Sequence, residues 1–431
     1  MGWPTRTGGA SSPADLDRAF AALLGTPCDQ GARVGIEHEY RVLSRGGVVD
    51  FREVIAGLDL GVPHLDPRDA FGFRRPSGTW LTCDEAEAEV AMPAVRLGRG
   101  FGDALASSAA AARADLEAIL GPDLRIEGFS THINVSAASD RRHDAAHLFA
   151  RTFAPALMLL MDRASSPGLL VRSRPGRIEL GGEFVEGDTL VVAALLAAGG
   201  ARACLARVEG RREARDLPPE LAVEPAPEWR RYGWYVDRRA FGPDLYRDGR
   251  RALLTSRRGE RLTGQSQLSA AWRSARRELP GDLDRGDLER VDASVSGERL
   301  LPLEGGTPPL VSAAAAASTG ATYGSAIRPR SRGAFDLGAV LATWELSVFV
   351  VADRARSRLA FACVPDACLD RFLALVDGGR LDALIARYLA AAPVGRVLDD
   401  RAHAQRPGLW DELGARRSLL QPEIRPLGAR P

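Results

Sequence analysis

The chain has 431 residues, 57 basic and 56 acidic, for a formal net charge of +1, and every basic residue among the 57 is Arg. Without Lys the chain has no Schiff-base amine, no Ser–Lys dyad and no Walker-type phosphate lysine, so any phosphate it handles is held by Arg, backbone N–H groups or metal ions. The near-neutral balance also lacks the basic excess of a nucleic-acid binder.

Along the chain, Ser12 before Pro13 starts a helical stripe of Leu16, Phe20, Leu23 and Leu24 that ends at Gly25. From Arg33 to Val42 the period becomes two, with Val34, Ile36, His38, Tyr40 and Val42 on one face and Gly35, Glu37, Glu39 and Arg41 on the other. Residues 101–120 read as an Ala-rich helix, Phe129 to Ser136 as a second alternating strand, Asp144 to Arg163 as a helix, Arg177 to Leu180 as a short strand and Asp188 to Leu205 as a helix. Strands with one polar face each point to an α+β fold with a curved, mainly antiparallel sheet and helices on its apolar face, rather than a doubly wound parallel one. Residues 206–260 read as an irregular aromatic and Arg-rich excursion, and a helix follows over Gln265 to Leu279. The Ala313–Ala317 tract and Thr319–Gly333 suggest a boundary, giving a catalytic domain over 1–330 and a small helical domain over 331–431 with helices at Leu337–Arg354 and Leu369–Ala391. Cys28, Cys83, Cys204, Cys363 and Cys368 are odd in number and scattered, which fits free thiols in a reducing compartment. The N-terminal segment lacks the apolar core of a signal peptide and the longest apolar run, Leu190 to Ala198, is too short for a bilayer, so the expectation is a cytoplasmic protein without a membrane or nucleic-acid partner.

Four segments carry acidic and hydrogen-bonding side chains at strand spacing. In GIEHEY, Glu37 and Glu39 share a face about 7 Å apart, a spacing that invites a hard divalent cation or solvent between the carboxylates. His38 falls on the apolar side and reads as a core residue. In GTWLTCDEAEAEVAMP, Glu87 reads as a solvated turn residue, while Asp84 and Glu89 border the strand segments and suit a metal site or a general base. In FSTHINVS, Phe129, Thr131, Ile133 and Val135 form the apolar face and Ser130, His132, Asn134 and Ser136 the polar one. In RSRPGRIELGGEF, Arg172, Arg174 and Arg177 precede Glu179, which suits either a phosphate clamp or a surface ion-pair cluster.

Paired Glu, an Asp/Glu cluster, His-x-Asn and an Arg-rich Glu, in that order, resemble the glutamine synthetase-like carboxylate–amine ligase superfamily, which includes glutamate–cysteine ligases and the Pup ligase and depupylase group. There an E-x-E strand opens a curved antiparallel sheet whose concave face holds ATP phosphates and two or three Mg²⁺ (or Mn²⁺) ions. The resemblance covers roughly residues 30 to 205. It implies metal roles for Glu37, Glu39, Glu89, His132 and Glu179, a base or orienting role for Asp84, and contacts near metal or phosphate for Asn134. The Arg of the family's E-x-R falls at Gly181 here, so its phosphate contact passes to Arg177 or a neighbouring Arg, or phosphoryl transfer is weakened.

The implied activity is ATP-dependent amide formation through an acyl phosphate, joining a small-molecule or peptide carboxylate to an amine. Arg172, Arg174 or Arg177, with Arg328 or Arg330 from IRPRSR, would stabilise the transferring phosphoryl group. The alternatives are an amide or isopeptide hydrolase on the same fold, which the depupylase resemblance allows, and a nucleotide- or peptide-binding homologue that has lost turnover, and a homo-oligomer is compatible with each. The aromatic stretch Trp229–Tyr246 suits either a specificity element or a core patch.

Overall fold

The computed structural model describes residues 19, 22, 23, 32–60, 69–75, 77–163, 166–211, 217–228, 233–241, 245–304, 330–332, 335–342, 346–353, 358–365, 368–391 and 396–398. By its internal contacts the chain forms two units, one of Gly31–Gly61 and Ser77–Ala321, the other of Met1–Gln30, Val62–Pro76 and Thr322–Pro431.

The first unit is built on β1 (Arg33–Ser44), β2 (Trp80–Asp84), β3 (Glu87–Ala91), β4 (Arg125–Ser136), β5 (Gly168–Arg174), β6 (Arg177–Glu183) and β7 (Gly233–Asp237). Their order is β7-β5-β6-β4-β1-β3-β2, open at the edges and antiparallel throughout, so the α+β expectation holds for this unit. Alternation sets the faces. Val34, Ile36, Tyr40, Val42, Ile133, Val135, Ile178 and Leu180 are buried, as period two predicts. His38 belongs to this apolar face, within 3.2 Å of the Tyr40 hydroxyl and against the Phe184 ring, and burial drives its pKa down to about 3. It is a neutral core residue.

Against the sheet lie α1 (Phe101–Leu120), α2 (Arg142–Thr152), α3 (Ala154–Met161) and α4 (Gly187–Val208), and α5 (Gly264–Glu278) and α6 (Arg285–Ser296) pack on α4 as a further layer. The single helix expected over Asp144–Arg163 is two, broken at Phe153, because Pro155 in the first turn of α3 has no amide proton to continue the ladder. Helix α4 has the length and composition of a membrane span, yet nearly all of it is buried within the unit. Its close packing depends on two glycines. A Cβ on Gly199 would meet the Ala275 carbonyl oxygen of α5 at 2.5 Å, and one on Gly200 would meet Phe153 at 2.8 Å. Gly199→Ala should therefore lower stability by about 1–3 kcal/mol in urea unfolding, through overpacking against backbone that cannot yield. An unchanged midpoint would show that α4 and α5 do not approach this closely.

Helix α6, which the sequence reading did not anticipate, closes the N-terminus of α1. Asp284 accepts from the Gly100 amide at 2.7 Å and Asp287 from the Gly102 amide at 2.9 Å, satisfying donors the helix leaves open. The excursion after residue 206 is partly regular. β7 extends the sheet, and Leu253–Thr255 pairs with Arg261–Thr263. Phe241 and Tyr246 are buried, as a core patch requires, and the Tyr246 hydroxyl donates to Asp162, while Trp229 lies outside the described residues.

The second unit corrects the expected helical C-terminal domain. Where a helix was expected over Leu337–Arg354, the chain forms β8 (Arg330–Arg332), β9 (Phe335–Ala342) and β10 (Leu346–Asp353), followed by β11 (Arg358–Pro365) in an antiparallel meander. The run Val348, Phe349, Val350 and Val351 is β-branched and aromatic, and alternation sends Phe349 and Val351 into the core with Phe372, Val376 and Ile385. The helix expected over Leu369–Ala391 is α7 (Leu369–Asp377) and α8 (Asp382–Ala391), interrupted at Gly378 and Gly379, the latter at φ +69°. Of the expected Ser12–Gly25 helix only residues 19, 22 and 23 are described, all helical, and the Ala313–Ala317 tract lies outside the described residues.

Candidate functional site

β1 is central, flanked by β3 and β4, so its two polar-face glutamates look both ways. Glu37 lies opposite His132 of β4, and Glu39 lies between Ser130 of β4 and Glu89 of β3. β6 sets Glu179 opposite Asn134, and β5 sets Arg172 opposite Glu179. Antiparallel register thus gathers Glu37, Glu39, Asp84, Glu89, His132, Asn134, Arg172, Arg174, Arg177 and Glu179 from segments far apart in sequence. Of the remaining candidates, Arg328 lies outside the described residues, and Arg330 opens the sheet of the other unit.

The ligating atoms fall into two groups, Glu37 with His132 and Glu179, and Glu39 with Asp84 and Glu89, each within 4.8 Å of one another. The E-x-E spacing therefore sends one glutamate to each group. His132 joins them, with Nδ1 3.2 Å from Glu37 Oε2 and 3.7 Å from Glu179 Oε1, and Nε2 3.6 Å from Glu39 Oε1. Asn134 donates to Glu37 Oε1 at 3.1 Å, and Ser130, which the sequence reading put on this face without singling it out, donates to Glu39 Oε2 at 2.6 Å.

Burial sets the electrostatics. Glu37, Glu39, His132, Asn134 and Glu179 are all buried, Glu179 to 1% exposure, whereas Asp84 is exposed. Desolvation raises Glu39, and it raises Glu89 well above the usual carboxylate range with Glu37, Glu39 and Asp84 adding repulsion. Burial opposes charge on His132, but the bond to Glu37 and the fields of Glu37, Glu39 and Glu179 overcome it and hold the imidazole up at about 9. Burial likewise opposes charge on Glu179, and Arg172, His132 and Arg174 outweigh it and hold that carboxylate low.

Crowded carboxylates at this depth fit a divalent cation. The Glu39 group offers only carboxylate oxygens, the donors Mg²⁺ and Mn²⁺ prefer, and the Glu37 group adds an imidazole, which transition-metal ions accept more readily than Mg²⁺ does. The arginines differ from the simple phosphate clamp. Arg172 donates to Glu179 Oε1, Arg174 Nε donates to Glu179 Oε2 at 2.9 Å, and Arg177 Nε donates to Asn134 Oδ1 at 2.7 Å. Gly181 has a physical reason. A Cβ there would meet the His132 ring at 2.8 Å, so a side chain would push the imidazole away from its carboxylates.

Two local features escaped strict alternation. The β1–β4 register shifts at Glu39/Tyr40, a bulge that brings Phe129, expected on the apolar face, under the Arg41 guanidinium at 4.3 Å. Glu87, expected in a turn, opens β3 beside Arg41, and the tight turn before it holds Glu85 at φ 52°. Glu85→Gly should relieve about 1 kcal/mol of left-handed strain and raise the melting temperature, and a lower one would contradict that turn conformation.

No protein-family model matches the chain, and no curated protein sequence matches it. Solved structures similar to it include the complex between the prokaryotic ubiquitin-like protein Pup and its ligase PafA, at 12% identity and TM-score 0.35 over 62% of this chain and 65% of that one. The Pup ligase PafA in complex with ADP is similar at 12% identity and TM-score 0.33 over 70% of each chain. The match to the first spans slightly less than two thirds of that chain's length. At such distance the likeness carries no activity across.

Proposed function

We propose that the chain is an ATP- and Mg²⁺-dependent carboxylate–amine ligase. The observation that carries this reading is the division of charge on one sheet face, with two carboxylate groups fed by Glu37 and Glu39 and, beside Glu179, the arginines of β5 and β6. A face of this kind suits a polyphosphate that arrives with divalent cations, because carboxylates for the cations and guanidiniums for the anion are fixed side by side on rigid strands.

In this reading Glu37, His132 and Glu179 hold one cation and Glu39 and Glu89 another, with Ser130 fixing the Glu39 carboxylate through its 2.6 Å hydrogen bond. Bound cations supply charge neutralisation at the phosphoryl oxygens. Arg172, Arg174 and Arg177 take the phosphoryl oxygens that the cations do not reach. The substrate carboxylate oxygen bonds to the γ-phosphorus as the bond to ADP breaks, leaving an acyl phosphate. The amine nitrogen then bonds to the acyl carbon, phosphate departs with the C–O electron pair, and Asp84, the exposed member of its group, takes the surplus proton. A lysine amine would have to come from another molecule, since this chain has none.

A pooled screen of carboxylates, peptides and amines tests the reading. ADP and phosphate should appear only when Mg²⁺, a carboxylate and an amine are all present, with a product mass equal to the two substrates less water. Amide cleavage without ATP consumption would replace it with the hydrolase reading, and ATP binding without any turnover would replace it with a binding protein.

A further inference from the structure

We infer that Glu179 is a shared latch, held by arginines when the face is empty and released to a cation only when an anion takes those arginines in its place. The inference rests on the metal- and polyphosphate-binding reading above and adds to it a coupling between the two ligands. Glu179 belongs to two sets at once. One of its oxygens lies within 4.8 Å of the ligating atoms of Glu37 and His132, and both oxygens are already engaged, Oε1 by Arg172 and Oε2 by Arg174, with Arg177 Nη2 at 4.0 Å from Oε2.

At 1% exposure this carboxylate has no water to fall back on, so its charge is met by guanidinium or by metal. A divalent cation entering the Glu37 group meets those guanidiniums at close range, and at least one of them must turn away. A displaced guanidinium in turn needs an acceptor. Arg172 is 11% exposed, and its Nε is buried without a hydrogen-bond partner, so the clamp keeps a donor that Glu179 does not use. Arg174, at 33% exposure in the last position of β5, has the freedom to move. A polyphosphate oxygen satisfies both. The latch therefore makes cation and anion binding mutually supporting, and by linkage the gain is equal in both directions.

The test is calorimetric and does not use activity. In EDTA, Glu179→Gln should bind tripolyphosphate at least tenfold more tightly than wild type, because the arginines lose the partner that occupies them. Glu37→Gln removes the same charge from the face, but its carboxylate bonds to His132 and Asn134 rather than to the clamp, and should gain less than threefold. Equal gains would reduce the effect to through-space charge and overturn the latch, as would no gain for Glu179→Gln. Arg174→Gln supplies the reciprocal arm and should bind Mn²⁺ without anion at least fivefold more tightly than wild type, with circular dichroism confirming that each variant is folded. Unchanged Mn²⁺ affinity overturns the latch. Wild type that binds Mn²⁺ and tripolyphosphate together, with variants that show neither gain, removes the latch and leaves the proposed function standing. Wild type that binds neither, alone or together, removes both.

Discussion

Glu37→Gln and Glu39→Gln should each lower ATP-dependent product formation by about 10²–10³-fold while leaving the chain folded, the size of loss expected when one preorganised charge-stabilising group is removed. The two substitutions act on different groups, since Glu37 lies with His132 and Glu179 and Glu39 with Asp84 and Glu89. Both replacements keep the side chain's size, and the amide still accepts from Asn134 at position 37 and from Ser130 at position 39. The loss should therefore appear in turnover and cation affinity rather than in melting temperature. Glu87→Gln is the matched control, on the same face but outside both groups and paired only loosely with Arg41 at 4.0 Å, and should stay within about threefold of wild type. Equal losses at positions 37, 39 and 87 would mean that general surface charge, not cation holding, supports the activity.

The largest stability effect should come from Asp162, which no part of the proposed chemistry uses. It is fully buried, accepts from the Tyr246 hydroxyl, and is pushed up to about 8 by burial, with Glu183 adding and the Tyr246 bond, the Glu183 amide and Arg238 opposing. The folded pKa lies above the unfolded value near 3.8, so folding favours the protonated acid. Its contribution is complete below about pH 4 and is lost as pH rises through about 8. At about 1.4 kcal/mol per pH unit, wild type should lose about 4 kcal/mol from this group between about pH 5 and pH 8. Asp162→Asn keeps an acceptor for Tyr246 and cannot ionise, so its stability relative to wild type should rise steadily across that range in urea unfolding. Parallel pH profiles for the two proteins would show that Asp162 is already ionised in the folded chain and would contradict its raised pKa.

The strands that build the site were legible because each has one apolar and one polar face, and period two is visible without knowledge of partners. The identity of the facing residues was legible for the same reason, and antiparallel register then brought Glu37 to His132 and Glu39 to Glu89. What could not be read is what register and burial decide. Arg172 and Arg174 read as either a phosphate clamp or an ion-pair cluster, because nothing local shows that Glu179 of the next strand lies opposite Arg172 and takes both guanidiniums. Asp84 reads from the sequence as a metal-site residue or a base, and only the β2–β3 hairpin shows that it comes within reach of Glu39 and Glu89. Gly181 reads in the sequence as a missing arginine, and only the fold sets the His132 ring against it. β5 was missed because Leu169, Leu170 and Val171 run without alternation, and α6 because its buried positions Val291 and Val295 are too few to stand out among charges. The β-branched run over Leu346–Asp353 was read as helix, although its side-chain chemistry favoured the strand that forms.

The proposed function requires two cations on this face, one for each glutamate of GIEHEY. Mn²⁺ titrated into the chain with ADP and followed by electron paramagnetic resonance counts them directly. Two tightly bound Mn²⁺ per wild-type chain, falling to one in Glu37→Gln and to one in Glu39→Gln, is the predicted result. A wild-type count of zero, or a count that neither substitution changes, would contradict it.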